Sequence, residues 1–239
     1  MASTIKGVID LGNSSLKYGI YEDNLLIESG RASSASVEAE SLWRKAEIWL
    51  ISNVSAVTIN PPSFVKAMEL NANTLLPVQN LYRTPDTLGK DRIAAACGAA
   101  SLFPNRPVLV IDAGTCITFD YVSKQKMYKG GSISPGIHMR LDALAHFTGR
   151  LPRVTFRDLD RFSGVTTEDC ILSGVIQGMI GEIYHHVTYY DSLSSQMQVL
   201  ITGGDASFFE NKLNLKIFAA PNLVLDGLNT ILSYNLAQS

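Results

Sequence analysis

The same short pattern occurs twice in this chain, and it limits the folds open to it. Residues 8 to 12 read V-I-D-L-G and residues 110 to 114 read V-I-D-A-G, each closing an apolar run on an aspartate and a glycine. The offset of 102 residues is too long for a solenoid. It suits two similar half-structures, each opening on a buried strand and continuing through a meander into helices and strands. In this register Asn13 matches Thr115 and Lys17 matches Phe119. The expectation is an α/β protein of two lobes, over residues 1–105 and 106–239, with a cleft between them.

Residues 5 to 32 read as a β-meander with a turn at Asp23 and Asn24. Over 37 to 51, Leu42, Trp43, Ala46, Trp49 and Leu50 fall at helical spacing and predict a helix. "AVTIN" reads as a short strand stopped by Pro61 and Pro62, "SFVKAMELN" as a helix, and "TLLPVQNLYRTPDTLGKD" as mostly irregular. A helix of small residues, "RIAAACGAASLF", ends before Pro104. The second half restarts with "PVLVIDAGT" as a strand, "CITFDYVS" and "KMYKGGSIS" as its meander, and "PGIHMRLDALAHFTGRL" as a helix. A long helix runs from about Thr167 to Tyr190, "MQVLITGGDA" is a strand ending in glycines, and "PNLVLDGLNTILSYNLA" closes as a helix with proline at its first position.

Hydrophobic residues at 46% and charged ones at 18% of 239 supply a core and argue against disorder. The net charge is -2 and lysine and arginine form no block, which counts against nucleic acid as a partner. The N-terminal "MASTIKGVIDLG" has no apolar h-region, and no apolar run approaches the roughly 18 residues of a membrane span. A cytoplasmic protein without a membrane partner is expected. Cys97, Cys116 and Cys170 are odd in number and far apart, so neither a disulfide framework nor structural zinc is expected. His185 and His186 are neighbours on a helix, point in different directions, and cannot share a metal.

A tight turn after a core strand leaves backbone N–H groups pointing outward, and such nests bind phosphate. Gly12 and Gly114 let the backbone approach closely, while Asn13, Ser14 and Thr115 add donors. Asp10 and Asp112 are placed to hold cations beside a polyphosphate, and Lys17 to offset its charge. A single such turn is explained by ordinary hairpin chemistry. The matched pair favours function. Neither G-x-x-x-x-G-K-[ST] nor G-x-G-x-x-G occurs.

In "LGKDR", Gly89 permits a sharp turn and Asp91 precedes a helix, either as its N-cap or as a base. As a base it accepts the proton of a hydroxyl attacking a γ-phosphate, a reaction that asks mainly for positioning and charge stabilisation. "GGSISPG" leads into a helix N-terminus, another resting place for an anion. Thr166 and Thr167 are caps or ligand-facing hydroxyls, and the glycines of "ITGGDA" suit an adenine lying on bare backbone.

Taken together, "DLGNSSLK", "LGKDR", "DAGT", "GGSISPG", Leu151-Pro152-x-Val154, "TTEDCILSG" and "TGGDA" stand in the order and spacing of type III pantothenate kinases. The resemblance spans residues 5 to 235 and places the chain in the acetate kinase, sugar kinase, Hsp70 and actin superfamily. It implies two ribonuclease H-like lobes, each a mixed sheet flanked by helices. It also implies a cytoplasmic homodimer that phosphorylates pantothenate with ATP, the first step of coenzyme A synthesis. Residues carried over for ATP are Asp10, Leu11, Gly12, Asn13, Ser14, Ser15, Leu16 and Lys17 of the first phosphate motif, with Thr115 of the second. Asp10 helps hold magnesium, directly or through water, and Asp112 holds potassium or ammonium. Gly89, Lys90, Asp91 and Arg92 contact pantothenate, Asp91 being the proton acceptor, with Tyr82 and Thr167 as further contacts. Ser14 stands where threonine is common, Lys90 where many relatives have a small residue, and His138 is less usual in its segment. Other readings are a different small-molecule kinase of the superfamily, a regulatory relative without catalysis, and an actin-like structural ATPase. A short chain that keeps its three aspartates fits these less well.

Overall fold

Three consecutive strands open the chain, β1 (Ile5–Leu11), β2 (Leu16–Glu22) and β3 (Leu25–Ala32). They pair antiparallel in chain order, and Asp23 turns between β2 and β3 with a φ of 53°. This is a computed structural model, and it describes residues 4–12, 16–32, 40–55, 58–194 and 196–238. Asn13, Ser14 and Ser15, and the first part of the strand expected at "AVTIN", lie outside those residues.

The predicted helix over 37 to 51 is helical only in part and ends in a strand. Helix α1 is only Glu40–Trp43, and Ile48–Asn53 forms β4, parallel to β1. Gly7 of β1 pairs with Trp49, and the indole lies over it so closely that a Cβ on Gly7 would stand 2.4 Å from the ring. Trp49 meets Trp43 edge-on at 5.0 Å and donates its Nε1–H to the Trp43 carbonyl at 3.2 Å. Burial beneath the sheet overrides helical spacing here. The helix predicted at "SFVKAMELN" is likewise a strand, β5 (Lys66–Glu69), parallel to β4. Residues 58 to 60 are irregular.

The first sheet runs β3-β2-β1-β4-β5. A two-residue β6 (Gln79–Asn80) and a 3-10 turn (Pro85–Thr87) then lead to α2 (Lys90–Leu102). The second programme repeats the first: β7 (Val108–Ala113), β8 (Cys116–Val122), β9 (Met127–Pro135), α3 (Ile137–Phe147), α4 (Thr167–Leu193), β10 (Gln198–Thr202), α5 (Ala206–Lys212), β11 (Ile217–Ala219) and α6 (Leu223–Leu236). Its sheet order is β11-β10-β7-β8-β9-β6. Apart from the added β6, both sheets have the order third, second, first, fourth, fifth in chain sequence. The ribonuclease H-like duplication is therefore present in the topology.

The turns differ in length: four residues separate Leu11 from Leu16, and two separate Ala113 from Cys116. Counted from the strand starts, Lys17 corresponds to Ile117 rather than Phe119.

The chain divides into two compact units: residues 1–108, 122–130 and 222–239 in one, 109–121 and 131–221 in the other. A single division between 105 and 106 does not reproduce them, because α6 packs with the first unit. Gly98 of α2 and Gly227 of α6 let these helices touch backbone to backbone; a Cβ on Gly227 would lie 1.8 Å from the Ala94 carbonyl oxygen. Pro221 stands just before the N-cap Asn222, not at the first helical position. In the first unit Val8, Leu50, Ile93, Tyr128 and Leu228 share one core, and Ile9, Trp43 and Trp49 form a second. In the other unit Ile111, Phe119, Leu172 and Ile201 pack together. No helix among the described residues is long and apolar enough to cross a membrane.

Candidate functional site

In the first unit, Asp10 sits one residue from the end of β1. Its cross-strand partner is Lys17 on β2 and its parallel partner is Ser52 on β4. Paired residues present their side chains to the same face of a sheet, so a cation and a hydroxyl flank the carboxylate. The fully buried Ser52 donates to Asp10 Oδ1 at 3.1 Å. Leu11 and Leu16, which pair next, are buried and anchor the turn; Gly12 follows β1 directly.

The charge of Asp91 acts on the same carboxylate. Burial, and then the Asp91 charge, push the Asp10 carboxyl up to about 6, with the Ser52 hydrogen bond and Lys17 opposing the rise. A buried carboxylate that also carries the repulsion of a second one is relieved by a cation bound beside it.

Asp91 is not the N-cap of α2. Gly89 occupies that position, its carbonyl accepting from Ile93 N at 3.2 Å, and Asp91 lies in the first turn with Oδ1 accepting from Arg92 N at 2.8 Å. A Cβ on Gly89 would fall 2.5 Å from Asp91 Oδ1, so the glycine leaves room for this carboxylate. Lys90 points elsewhere, its ammonium 3.0 Å from Glu69 on β5. Arg92 is buried, and its guanidinium lies over the Tyr82 ring at 6.0 Å. The structure thus brings Lys17 and Ser52 beside Asp10, and Arg92 against Tyr82.

The second turn, in the other unit, is clasped by bare backbone. Gly136, the N-cap of α3, donates its N–H to the Thr115 carbonyl at 3.0 Å, and a Cβ there would stand 2.1 Å from the Gly114 oxygen. From the loop after β10, Asp205 N donates to the Ala113 carbonyl at 2.9 Å. Gly203, at φ +97°, lies so near that a Cβ would be 2.5 Å from Asp112 Oδ1. Glycine alone suits that backbone and that approach. Asp112 is half-buried and the Thr115 side chain is exposed.

Burial raises the Asp205 carboxyl, opposed by His138 on α3, which also meets Phe156 edge-on. Thr167 is the exposed first residue of α4, capped by Thr166, whose Oγ1 accepts from Asp169 N at 3.1 Å. It lines an apolar hollow of about 790 Å³ between α3 and α4.

Ser52 escapes the sequence reading because the expected helix ends at residue 51 and no strand is placed after it; reading "EIWLIS" as a buried parallel strand puts it beside Asp10. Asp205 was quoted in "TGGDA" without a role. Among the described residues no group of three or more His, Cys, Asp or Glu is poised around a metal, and all three cysteines are free. The oxygen donors at Asp10 and Asp112 suit hard cations that keep phosphate and water ligands, as magnesium does.

Comparison with known proteins agrees with this reading of the motifs. The profile of the type III pantothenate kinase family matches residues 8–188. The type III pantothenate kinase of Phocaeicola vulgatus is 40% identical over 237 residues, covering 95% of this chain and 98% of the relative. That of Cytophaga hutchinsonii is 39% identical, covering 96% and 99%. Among solved structures, one described as a conserved Baf family transcriptional activator from Campylobacter jejuni superposes with a TM-score of 0.64 at 23% identity, covering 97% of this chain and 99% of that one. The activator of 2-hydroxyisocaproyl-CoA dehydratase from Clostridium difficile follows with a TM-score of 0.55 at 11% identity, covering 98% and 95%. The structural likenesses carry the fold alone; the sequence matches, running through both D-x-G turns and "LGKDR", place this chain in the type III pantothenate kinase family.

Proposed function

We propose that the chain phosphorylates pantothenate with ATP to give 4'-phosphopantothenate, the entry to coenzyme A synthesis. The observation that carries this is the Asp10–Asp91 pair, one carboxylate at a phosphate turn and the other at a helix start, with Lys17 and Ser52 beside the first. In this reading Asp91 accepts the proton of the substrate hydroxyl as it attacks the γ-phosphorus in line, and the leaving group is ADP.

Residues 10 to 17 hold the phosphates through N–H groups, short hydroxyls and Lys17; Thr115 adds a contact from the second turn. Asp10 is the carboxylate for magnesium, directly or through water, and Asp112 is the one for potassium or ammonium. These cations, when bound, offset phosphate charge. Tyr82, Gly89, Arg92 and Thr167 contact pantothenate, and Lys90, whose ammonium is held by Glu69, does so through its backbone. The enzyme works as a cytoplasmic homodimer.

The test is ADP release coupled to a reporter, with pantothenate and ATP, with and without potassium. Release is expected only with pantothenate present, and it should fall about 10²- to 10⁴-fold in Asp91→Asn. No pantothenate-dependent release under either salt would overturn the assignment. Near-full activity of Asp91→Asn would remove only the base.

A further inference from the structure

The segment bearing Tyr82 has little regular structure of its own, and β9 holds it in place. Gln79 and Asn80 pair in parallel with Met127 and Tyr128. Gln79 N donates to the Lys126 carbonyl at 2.8 Å, and Leu81 N to that of Tyr128 at 3.0 Å. One residue further, Tyr82 N donates to Asn80 Oδ1 at 3.0 Å. The backbone is thus clamped up to the residue that carries the ring.

The ring rests on two supports. It stacks on Tyr128, which is fully buried, at 6.4 Å between centroids and 29° between planes. It also lies against Gly130, where an added Cβ would stand 3.3 Å from Tyr82 Cδ2 and where φ is +79°. A side chain at residue 130 would therefore meet both the ring and an unfavourable backbone. The buried Arg92 guanidinium in turn lies 6.0 Å from the Tyr82 ring centre.

We infer that Tyr128 and Gly130 are positioning residues, setting the Tyr82 ring and through it the Arg92 guanidinium for the acceptor substrate. This rests on the pantothenate reading above, and it gives "KMYKGG" a task at the acceptor side of the reaction. A ring stacked on a buried ring keeps few orientations, and its cation-facing surface then fixes where the guanidinium can sit.

The test is steady-state kinetics with each substrate varied, in Tyr128→Phe, Tyr128→Leu, Gly130→Ala, Tyr82→Ala and the double variant Tyr82→Ala/Tyr128→Leu. Tyr128→Phe keeps the stack and should leave the pantothenate KM close to that of the unmodified enzyme. Tyr128→Leu should raise it about three- to tenfold, as loss of a stacked pair implies, with the ATP KM unchanged. Gly130→Ala should give the same signature. In the double variant, Tyr128→Leu should add nothing to Tyr82→Ala. Additive effects in the double variant, or equal rises in both KM values, would overturn the inference.

A second readout needs no turnover. The ring-current shift on the Gly130 α-protons in ligand-free protein should vanish in Tyr82→Ala and shrink in Tyr128→Leu. An undiminished shift in Tyr128→Leu would refute the support. Absence of pantothenate turnover in the unmodified enzyme, with the NMR result as expected, would instead refute the substrate reading.

Discussion

Asp10→Asn is expected to make the ligand-free protein more stable while impairing phosphate transfer. The carboxyl of Asp10 is raised from 3.8 to about 6 by burial and the Asp91 charge, a difference near 2 units. At about 1.4 kcal/mol per unit, keeping this group ionised costs the folded state about 3 kcal/mol. The Lys17 attraction and the Ser52 hydrogen bond already oppose the rise within that value, so a gain of up to about 3 kcal/mol is expected at pH 8. Asparagine still accepts from the Ser52 hydroxyl, and that hydrogen bond survives.

For a chain of this length the gain corresponds to a rise of up to about 10 °C in Tm. The pH dependence has a definite sign. Between 3.8 and about 6 the folded protein binds the proton that the unfolded chain has released, so its stability falls as pH rises through that window. The margin of Asp10→Asn should therefore be absent below the window, open within it, and level off above about pH 7. Trp43 and Trp49 are buried in the same unit, so tryptophan fluorescence during thermal unfolding reports on this region. Saturating magnesium and ATP should favour the unmodified protein and close the gap. A variant no more stable at pH 8, or a margin independent of pH, would refute the account.

Gly227→Ala should destabilise the first unit by about 3 kcal/mol, because its Cβ meets the Ala94 carbonyl oxygen at 1.8 Å and drives α2 and α6 apart; the same fluorescence melt measures it. By contrast a Cβ on Gly178 of α4 meets nothing within 4 Å, and Gly178→Ala should stabilise by about 0.5–1 kcal/mol. Burial pushes the Cys97 thiol well above its usual range, whereas Cys170 is exposed. Mass spectrometry after brief alkylation of native protein should find Cys170 modified and Cys97 intact, and a modified Cys97 before unfolding would contradict its burial.

Much of the site could be read in one dimension. Both D-x-G turns, the glycine, aspartate and arginine of "LGKDR", and the meander following each turn depend on neighbours close in sequence, where turn chemistry and local apolar patterning dominate. Residues 48–53 and 66–69 depart from the sequence expectation for the opposite reason. Strand β4 pairs with β1 far back in the chain and, buried along most of its length, loses the alternation that would mark it, while β5 is a short, largely exposed edge strand held by β4. With β4 misread, Ser52 could not be seen as the neighbour of Asp10.

By itself, then, the sequence determined a duplicated α/β architecture in which each half opens on a strand ending in D-x-G, because these features are written in local pattern. Tertiary structure alone decided which residues surround those aspartates. Ser52 reaches Asp10 by the register of parallel strands, Gly203 lies against Asp112 by loop packing, and α6 joins the first unit because two glycines allow its backbone to meet α2. Each depends on contacts between distant segments, and it is the burial they create, together with the nearby Asp91, that raises the Asp10 carboxyl.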